Sequence, residues 1–277
     1  MMDKMVTLGN TRIQHGKNSN RIYIMKLDKR DLPGVLDAAE ALARREGYTK
    51  LFAKIPVSAA RWFLEHGYGV EARVPYLFRG IEEGVFASRF LDTTRARAEN
   101  AEVIAEVLSV SRSRAGKSAA VELPAEYETR ALTPDDAPQA AEVYRQVFAT
   151  YPFPIHDPDY IRTTMADHVL YFGAFQDGVL GALASAEMDP GAQNAEMTDF
   201  ATLPQLRGKG LARHLLAIME QAVRKRTIRT AYTIARAVSH GMNITFAESG
   251  YSFAGTLINN THISGGLESM NVWHKRL

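Results

Sequence analysis

The 277-residue chain has no cysteine. That excludes a disulfide framework, a thiolate metal site and a cysteine nucleophile. It also has no apolar run of the ~18 residues needed to cross a membrane, and Met1 to Arg12 carries no apolar signal core. A charge excess is missing too: the net charge is +2, which leaves no global footprint for nucleic acid. The one short basic run, Ser111 to Ser118, reads as a solvated linker. The eight histidines show no metal-ligand spacing, and the Gly-x-Ser-x-Gly pattern of serine hydrolases does not occur. The remaining composition, 46% hydrophobic and 23% charged, is that of an ordinary globular protein. The length suits one large or two modest domains. The expectation is a soluble cytoplasmic protein with no metal, no nucleic-acid partner and no membrane.

One stretch organises the rest: Gln205-Leu206-Arg207-Gly208-Lys209-Gly210-Leu211-Ala212. A short apolar segment, Asn194 to Ala201, precedes it and reads as a strand. After it Leu211, Leu215, Ile218, Met219, Ala222 and Val223 recur at helical spacing. The glycines therefore lie in a strand-to-helix turn, where Gly208 and Gly210 permit backbone angles closed to other residues. The first amides of the helix have no internal partners and point outward, which suits an anion, above all a phosphate. The pattern is not the nucleotide P-loop, because Gly-Lys is not followed by Ser or Thr. It also lacks the third glycine of the dinucleotide fingerprint.

In chain order, strands are expected over Thr11–His15, Arg21–Leu27, Lys50–Ile55 and Val70–Phe78, with Pro75 marking an edge or a bulge. A helix over Leu32–Arg45 has Val35, Leu36, Ala39 and Leu42 on one face, and Ser58 is placed to cap a second helix through Glu65. Residues 79–110 read as mainly helical. Further on, Tyr127–Leu132 is a strand, and Thr133-Pro134-Asp135-Asp136 is a helix start for a helix running to about Phe148. Tyr151 to Pro158, with three prolines, cannot be regular. Asp159–Met165 is a second helix, and Val169–Phe175 and Val179–Glu187 form a hairpin about Asp177-Gly178. Beyond the glycine loop follow a strand over Thr230–Arg236, a helix over Ser239–Glu248, a strand over Ser252–Leu257 and a last strand over Glu268–His274. Trp62 to Tyr68 aligns with Thr245 to Tyr251, matching in phenylalanine, glutamate, glycine and tyrosine. That alignment implies a degenerate internal repeat whose earlier copy has Asp31-Leu32-Pro33-Gly34 in place of the glycine loop. Two domains are expected, 1–120 and 121–277.

Gln-x-x-Gly-x-Gly-x-Ala with an arginine before the first glycine resembles the pyrophosphate loop of the GCN5-related N-acetyltransferases (GNAT). The element order after residue 125 is similar to the GNAT fold. The fold class is thus α/β (α+β), a mixed, mostly antiparallel sheet flanked by helices, preceded by a degenerate half-GNAT-like domain. Arg21 to Leu27, Gly47 to Lys54, Asn259 to Gly266 and Glu268 to Trp273 resemble the beta-lysine N-acetyltransferases, nearly across the whole chain. The resemblance implies acetyl transfer from acetyl-CoA, as co-substrate, to the ε-amino group of the small amine β-lysine, giving a compatible solute. Another small amine or amino acid as acceptor, or a non-catalytic acyl-CoA sensor, are the alternatives. A homodimer is compatible with it.

For coenzyme contact the resemblance points to Phe200, Ala201, Thr202, Gln205, Leu206, Arg207, Gly208, Lys209, Gly210, Leu211, Ala212, Asn243 and Phe246. For the chemistry, an ammonium with a pKa near ~10 must lose its proton before attack. By strand alternation Glu196, Thr198 and Phe200 face one way, and Met197 and Asp199 the other. Many GNAT enzymes carry a catalytic glutamate in this strand, and Glu196 matches its register. Asp199 is the second candidate, as base or as holder of the ammonium. Where many relatives have a tyrosine acid this chain has Phe246. Either Asn243 or Tyr251 substitutes for it, or the thiolate leaves into water.

Overall fold

The computed structural model describes residues 3–117 and 122–277. Ser118 and the boundary expected near 120 lie outside them. The first part runs β1 (Lys4–Leu8), β2 (Thr11–Gly16), β3 (Arg21–Lys26), α1 (Gly34–Glu46), β4 (Lys50–Pro56), α2 (Ala60–Glu65), β5 (Gly69–Phe78), β6 (Glu82–Phe90) and α3 (Ala101–Ser113). The second runs β7 (Glu128–Ala131), α4 (Ala137–Val147), α5 (Pro158–Asp167), β8 (Val169–Gln176), β9 (Val179–Asp189), β10 (Asn194–Thr202), α6 (Leu211–Arg224), β11 (Thr230–Arg236), α7 (His240–Glu248), β12 (Ser252–Ile263) and β13 (Gly266–Arg276).

Local chemistry accounts for the helix ends. Helix α1 buries Val35, Leu36, Ala39, Leu42 and Ala43, and stops at Gly47, whose φ of 68° is left-handed. Ahead of α4, Thr133 and Asp136 exchange side-chain and backbone hydrogen bonds in a capping box. Arg130 grips the same Asp136 carboxylate at 2.7 and 2.8 Å. Helix α7 is capped by Ser239, whose hydroxyl accepts from the Met242 amide at 3.4 Å.

The thirteen described strands join one sheet, in the order β1-β2-β3-β4-β6-β5-β12-β13-β11-β10-β9-β8-β7. Among the described strands only β3 with β4 and β10 with β11 pair in parallel. The order is symmetric about the β5–β12 junction: β1–β6 with α1 and α2 repeat as β8–β13 with α6 and α7. The repeat therefore extends well beyond the short window in which the sequence displays it. Its finest detail is at the helix ends. Phe63 and Tyr68 meet edge to face at 5.1 Å, as do Phe246 and Tyr251. Gly67 and Gly250 have φ of 78° and 82°, and the Tyr68 and Tyr251 amides bond the Phe63 and Phe246 carbonyls at 3.1 and 3.0 Å.

The sheet curls so that its two repeats face each other. Lys26 on β3 reaches Asp189 on β9 at 3.2 Å, Lys54 on β4 donates to the Tyr232 hydroxyl on β11 at 2.7 Å, and Asn194 donates to the Leu77 carbonyl at 2.9 Å. A shared core lies between the repeats, with Tyr23, Phe52 and Phe86 of the first against Tyr232, Leu257 and Met270 of the second. At the junction, buried Lys50 donates to Glu71 at 3.0 Å and to the Ile258 carbonyl at 2.7 Å, and the Ile258 amide donates to Glu71 at 2.8 Å.

Three local expectations are corrected. Residues 82–90 are strand β6, not helix. The i, i+4 spacing of Phe86 and Phe90 fits a helix, but β6 sits between β4 and β5 and buries both faces of Gly84 to Ser88, so its apolar run has no strand period to show. Ser58 does not cap α2. It lies within a 3-10 turn, Val57–Ala59, and its hydroxyl donates to Glu82. Ser111 to Ser113 belong to α3 rather than to a linker, with Ser111 buried and bonded to the Val107 carbonyl at 2.7 Å. Pro75 does sit at a bulge, between the Val74 and Phe78 pairings.

Candidate active site

The site begins with two irregularities in β10. Its pairing with β9 runs to Thr198↔Ser185 and resumes at Ala201↔Leu183, which leaves one extra residue on β10, a bulge. Asp199 takes the strain with φ of 54°. The bulge breaks the alternation, so Glu196, Thr198, Asp199 and Phe200 all border the same cavity, while Met197 goes to the opposite core. Asp199 is thus on the side of Glu196, not behind it as strict alternation requires. The second irregularity is that β10 and β11 pair only from Asn194↔Thr230 to Glu196↔Tyr232. Beyond Glu196 the two strands separate, and the cavity opens between them.

The cavity holds about 1160 Å³ of empty space, counting its open mouth. Its walls come from both repeats: Arg21, Tyr23 and Phe52 from the first, and Glu187, Glu196, Asp199 and Phe246 from the second, with the segment Tyr151–Phe153 over it. By strand register Tyr23, paired with Phe52, is the counterpart of Glu196, paired with Tyr232. The first repeat therefore has a phenol where the second has a carboxylate.

Three carboxylates share the space and titrate apart. Burial, followed by the negative charge of Glu187, pushes Glu196 up to about 7, against the opposing pull of Lys54 and the Tyr232 hydroxyl. Burial acts on Glu187 too, but the hydrogen bond from His168 and the charge of Lys54 outweigh it and hold the group below its usual value. Its side chain keeps 38% of its surface open, so solvent screens part of that field. The direction rests on the His168 contact, 3.5 Å away. Asp199 is raised by burial despite accepting from Ser185 at 2.5 Å and from the Tyr151 hydroxyl. One carboxylate thus stays ionised while its neighbour sits near neutrality, the arrangement that separates proton carrier from fixed charge.

The glycine loop follows β10. Gly208 and Gly210 have φ of 82° and 75°, and Gly210 leads into α6 with no side-chain cap. The amides of Gly208, Lys209 and Gly210 make no backbone hydrogen bond among the described residues. Those of Leu206 and Arg207 are already used, on Leu203 and Pro204 carbonyls at 2.9 and 3.3 Å. The run of free amides is accordingly shorter than Arg207–Ala212, starting at Gly208. Gln205 is exposed on the 3-10 turn before it. The Lys209 side chain turns to the Tyr127 hydroxyl at 2.8 Å, leaving its amide to the loop. Ala201 is buried, and the Thr202 carbonyl accepts from Arg207 at 3.4 Å. Phe246 meets Phe200 edge to face at 5.6 Å, on the cavity wall.

Asn243 stands differently. Its amide donates to Arg236 and Ser239 carbonyls at 2.9 and 2.8 Å, and its oxygen accepts from Asn271 and Trp273, both at 2.8 Å. That side chain is saturated and fully buried, and it does not line the cavity. Tyr251 packs in the core behind α6 and α7. Neither group reaches the cavity as an acid.

The acetyltransferase (GNAT) family matches residues 139–251, a span containing β10, the glycine loop and α6. Beta-lysine N(6)-acetyltransferase of Methanococcus maripaludis is 35% identical over 99% of this chain and 99% of its own length. The chain belongs to the GNAT acetyltransferase family. Beta-lysine N(6)-acetyltransferase of Methanosarcina mazei is 43% identical over 56% of this chain and 57% of its own length. N-acetyltransferase YodP of Bacillus subtilis is 31% identical over 96% of this chain and 95% of its own length. As a GNAT member the protein is an acetyl-CoA-dependent amine acetyltransferase.

Several cavity residues escape a reading of the sequence. Glu187 lies near the end of β9, at the edge of the apolar strand expected over Val179–Glu187, and Tyr151 stands in an irregular proline-rich segment. Arg21 and Tyr23 lie far from Glu196 in sequence, in the other repeat. The available signal was the repeat: two facing copies require that the counterpart of β10 also line the site.

Proposed function

We propose that this acetyltransferase transfers the acetyl group of acetyl-CoA to the ε-amino group of β-lysine by direct attack, with Glu196 as the base. The observation that carries the reading is Glu196 itself, a half-buried carboxylate of the cavity wall raised to about 7. It sits where β10 and β11 part, in the strand that leads to the glycine loop. The identity of 35% over nearly the full length of the M. maripaludis enzyme supports the substrate.

In this reading the coenzyme pyrophosphate lies on the amides from Gly208 to Ala212. Its arm runs along the open edge of β10, past Phe200, Ala201 and Thr202, with Phe246 behind it. The substrate enters as an ammonium drawn by the cavity carboxylates. Its proton passes to Glu196, directly or through one water, and the freed lone pair attacks the thioester carbonyl. The C–N bond forms, the C–S bond breaks, and the nitrogen's second proton passes to the departing thiolate or to water, leaving a neutral amide and CoA. A CoA thiol titrates near the cysteine value, about 8.5, so it can leave near neutral pH without a dedicated acid, consistent with Phe246 and a saturated Asn243. The first repeat has neither glycine loop nor base, so one coenzyme binds per chain. Acetylation removes one of two positive charges, and the product is a net-neutral zwitterion, the charge state a compatible solute needs.

The test is thiol release from acetyl-CoA with β-lysine, lysine, ornithine and polyamines in parallel, and mass spectrometry to locate the acetyl group. Highest kcat/KM for β-lysine with the acetyl on the ε nitrogen is expected. Preference for a polyamine, or acetylation of the β nitrogen, would overturn the substrate assignment.

A further inference from the structure

Arg21 opens β3 and is only 4% exposed. Its guanidinium borders the cavity, over the rings of Tyr23 and Phe52 at 5.2 and 5.5 Å. One nitrogen, Nη1, donates to the Asn260 carbonyl and to Thr261 Oγ1 at 3.1 Å. Nε is buried and has no hydrogen-bond partner. No carboxylate lies within ion-pair distance of it among the described residues.

Three other enclosed cations are satisfied. Lys50 has Glu71 at 3.0 Å. Arg95 is held by carbonyls of Ser19, Asn20 and Asn259. Arg236, which also borders the cavity, pairs through two nitrogens with Glu268 at 2.6 and 2.7 Å. A buried guanidinium without a counterion is costly, and Arg21 is one of the residues that line the cavity. Fold symmetry does not demand it: by register its counterpart in the second repeat is neutral Asn194, whose amide is used on Leu77.

We propose that Arg21 is the receptor for the substrate's carboxylate, so that the site selects diamino monocarboxylic acids over plain diamines. This rests on the reading of the cavity as the amine site. The planar guanidinium fork matches a carboxylate. Glu187, Glu196 and Asp199 supply negative charge for the ammonium groups. A ligand with one anionic end and two cationic nitrogens complements that arrangement, and a diamine leaves Arg21 without a counterion. The first repeat, which lacks its own catalytic set, thereby becomes the specificity wall of the second.

The test compares wild type, Arg21→Met and Arg21→Lys. The substrates are β-lysine and the corresponding decarboxylated diamine, and acetyl-CoA affinity is measured by calorimetry. For wild type, the diamino acid is expected to be preferred. Arg21→Met is expected to raise its KM about 10–100-fold, with kcat and acetyl-CoA affinity little changed and diamine turnover undiminished. Arg21→Lys should recover part of the loss. Equal loss on acid and diamine with coenzyme binding intact would assign Arg21 a structural role and overturn the proposal. Weakened acetyl-CoA binding would overturn it in favour of a coenzyme phosphate contact, and a wild type indifferent to the carboxylate would overturn it even if Arg21→Met failed to fold. If ornithine or lysine outperforms β-lysine but still depends on Arg21, the β-lysine assignment falls and this inference stands.

Discussion

At the scale of single residues, Glu196 carries opposing demands. Burial raises it to about 7 from its ordinary 4.5, which suits the proposed role of base near neutral pH and is a liability for folding. The folded chain binds the extra proton between those two values, so stability contributed by this group falls as pH rises through that window. Glu196→Gln is therefore expected to lower kcat about a hundredfold near pH 7 while raising Tm above pH 7 by about 2–6 °C. Steady-state kinetics and calorimetry of the same samples check both. The rising limb of the wild-type kcat/KM profile, with its apparent pKa near 7, should vanish in the variant. Activity within threefold of wild type across that range would exclude Glu196 as base and bring forward Asp199, which shares the cavity. Gly210 carries a different constraint: its φ of 75° is left-handed, and a branched side chain there crowds the proposed pyrophosphate site. Gly210→Val is expected to weaken acetyl-CoA binding at least about tenfold, about 1.4 kcal/mol, by calorimetry. Unchanged affinity would remove the pyrophosphate from this loop.

At the scale of elements, the start of α4 illustrates how much a short motif specifies. Thr133 and Asp136 close a capping box, and Asp136 also holds Arg130. Those hydrogen bonds, that of Arg130 first, keep the Asp136 carboxyl well below the usual range although burial opposes them. The stability it contributes is present above the unfolded value and lost as pH falls below it. Asp136→Ala is expected to cost about 2 kcal/mol at pH 7 by urea titration, with a smaller cost in acid. Such motifs were legible because both partners lie within a few residues. Strand β6 was not, since its burial is decided by β4 and β5 on either side. The bulge in β10 was also hidden: no glycine or proline marks it, and only the pairing with β9 reveals the extra residue that swings Asp199 beside Glu196.

At the scale of the whole molecule, the two repeats share one sheet and one core, and the junction of Lys50, Glu71 and Ile258 ties β4, β5 and β12 together. Removing one member of a buried pair strands the other, at a cost of about 3–5 kcal/mol. Lys50→Ala is expected to destabilise both halves together. The chain has two tryptophans, Trp62 in the first repeat and Trp273 in the second, so single-tryptophan variants report on each half. Their urea transitions should coincide and shift together in Lys50→Ala. Transitions that separate in wild type would show that the halves unfold independently.

Local sequence by itself determined the glycine loop, the helix faces and the capping box, while Glu196 came forward only through the resemblance to the GNAT strand that precedes such a loop. Each of those three features depends on neighbours a few positions apart, where periodicity and backbone preference act directly. It also carried a trace of the repeat, in the phenylalanine–glycine–tyrosine helix ends. Tertiary structure alone decided the rest of the site. The curl that brings β3 opposite β10 arises from contacts between residues more than a hundred positions apart, and no local pattern encodes it. Through that curl Arg21 and Tyr23 face Glu196, and the charge of Glu187 and the withdrawal of water raise one carboxylate of the cavity to the pH at which it can take a proton.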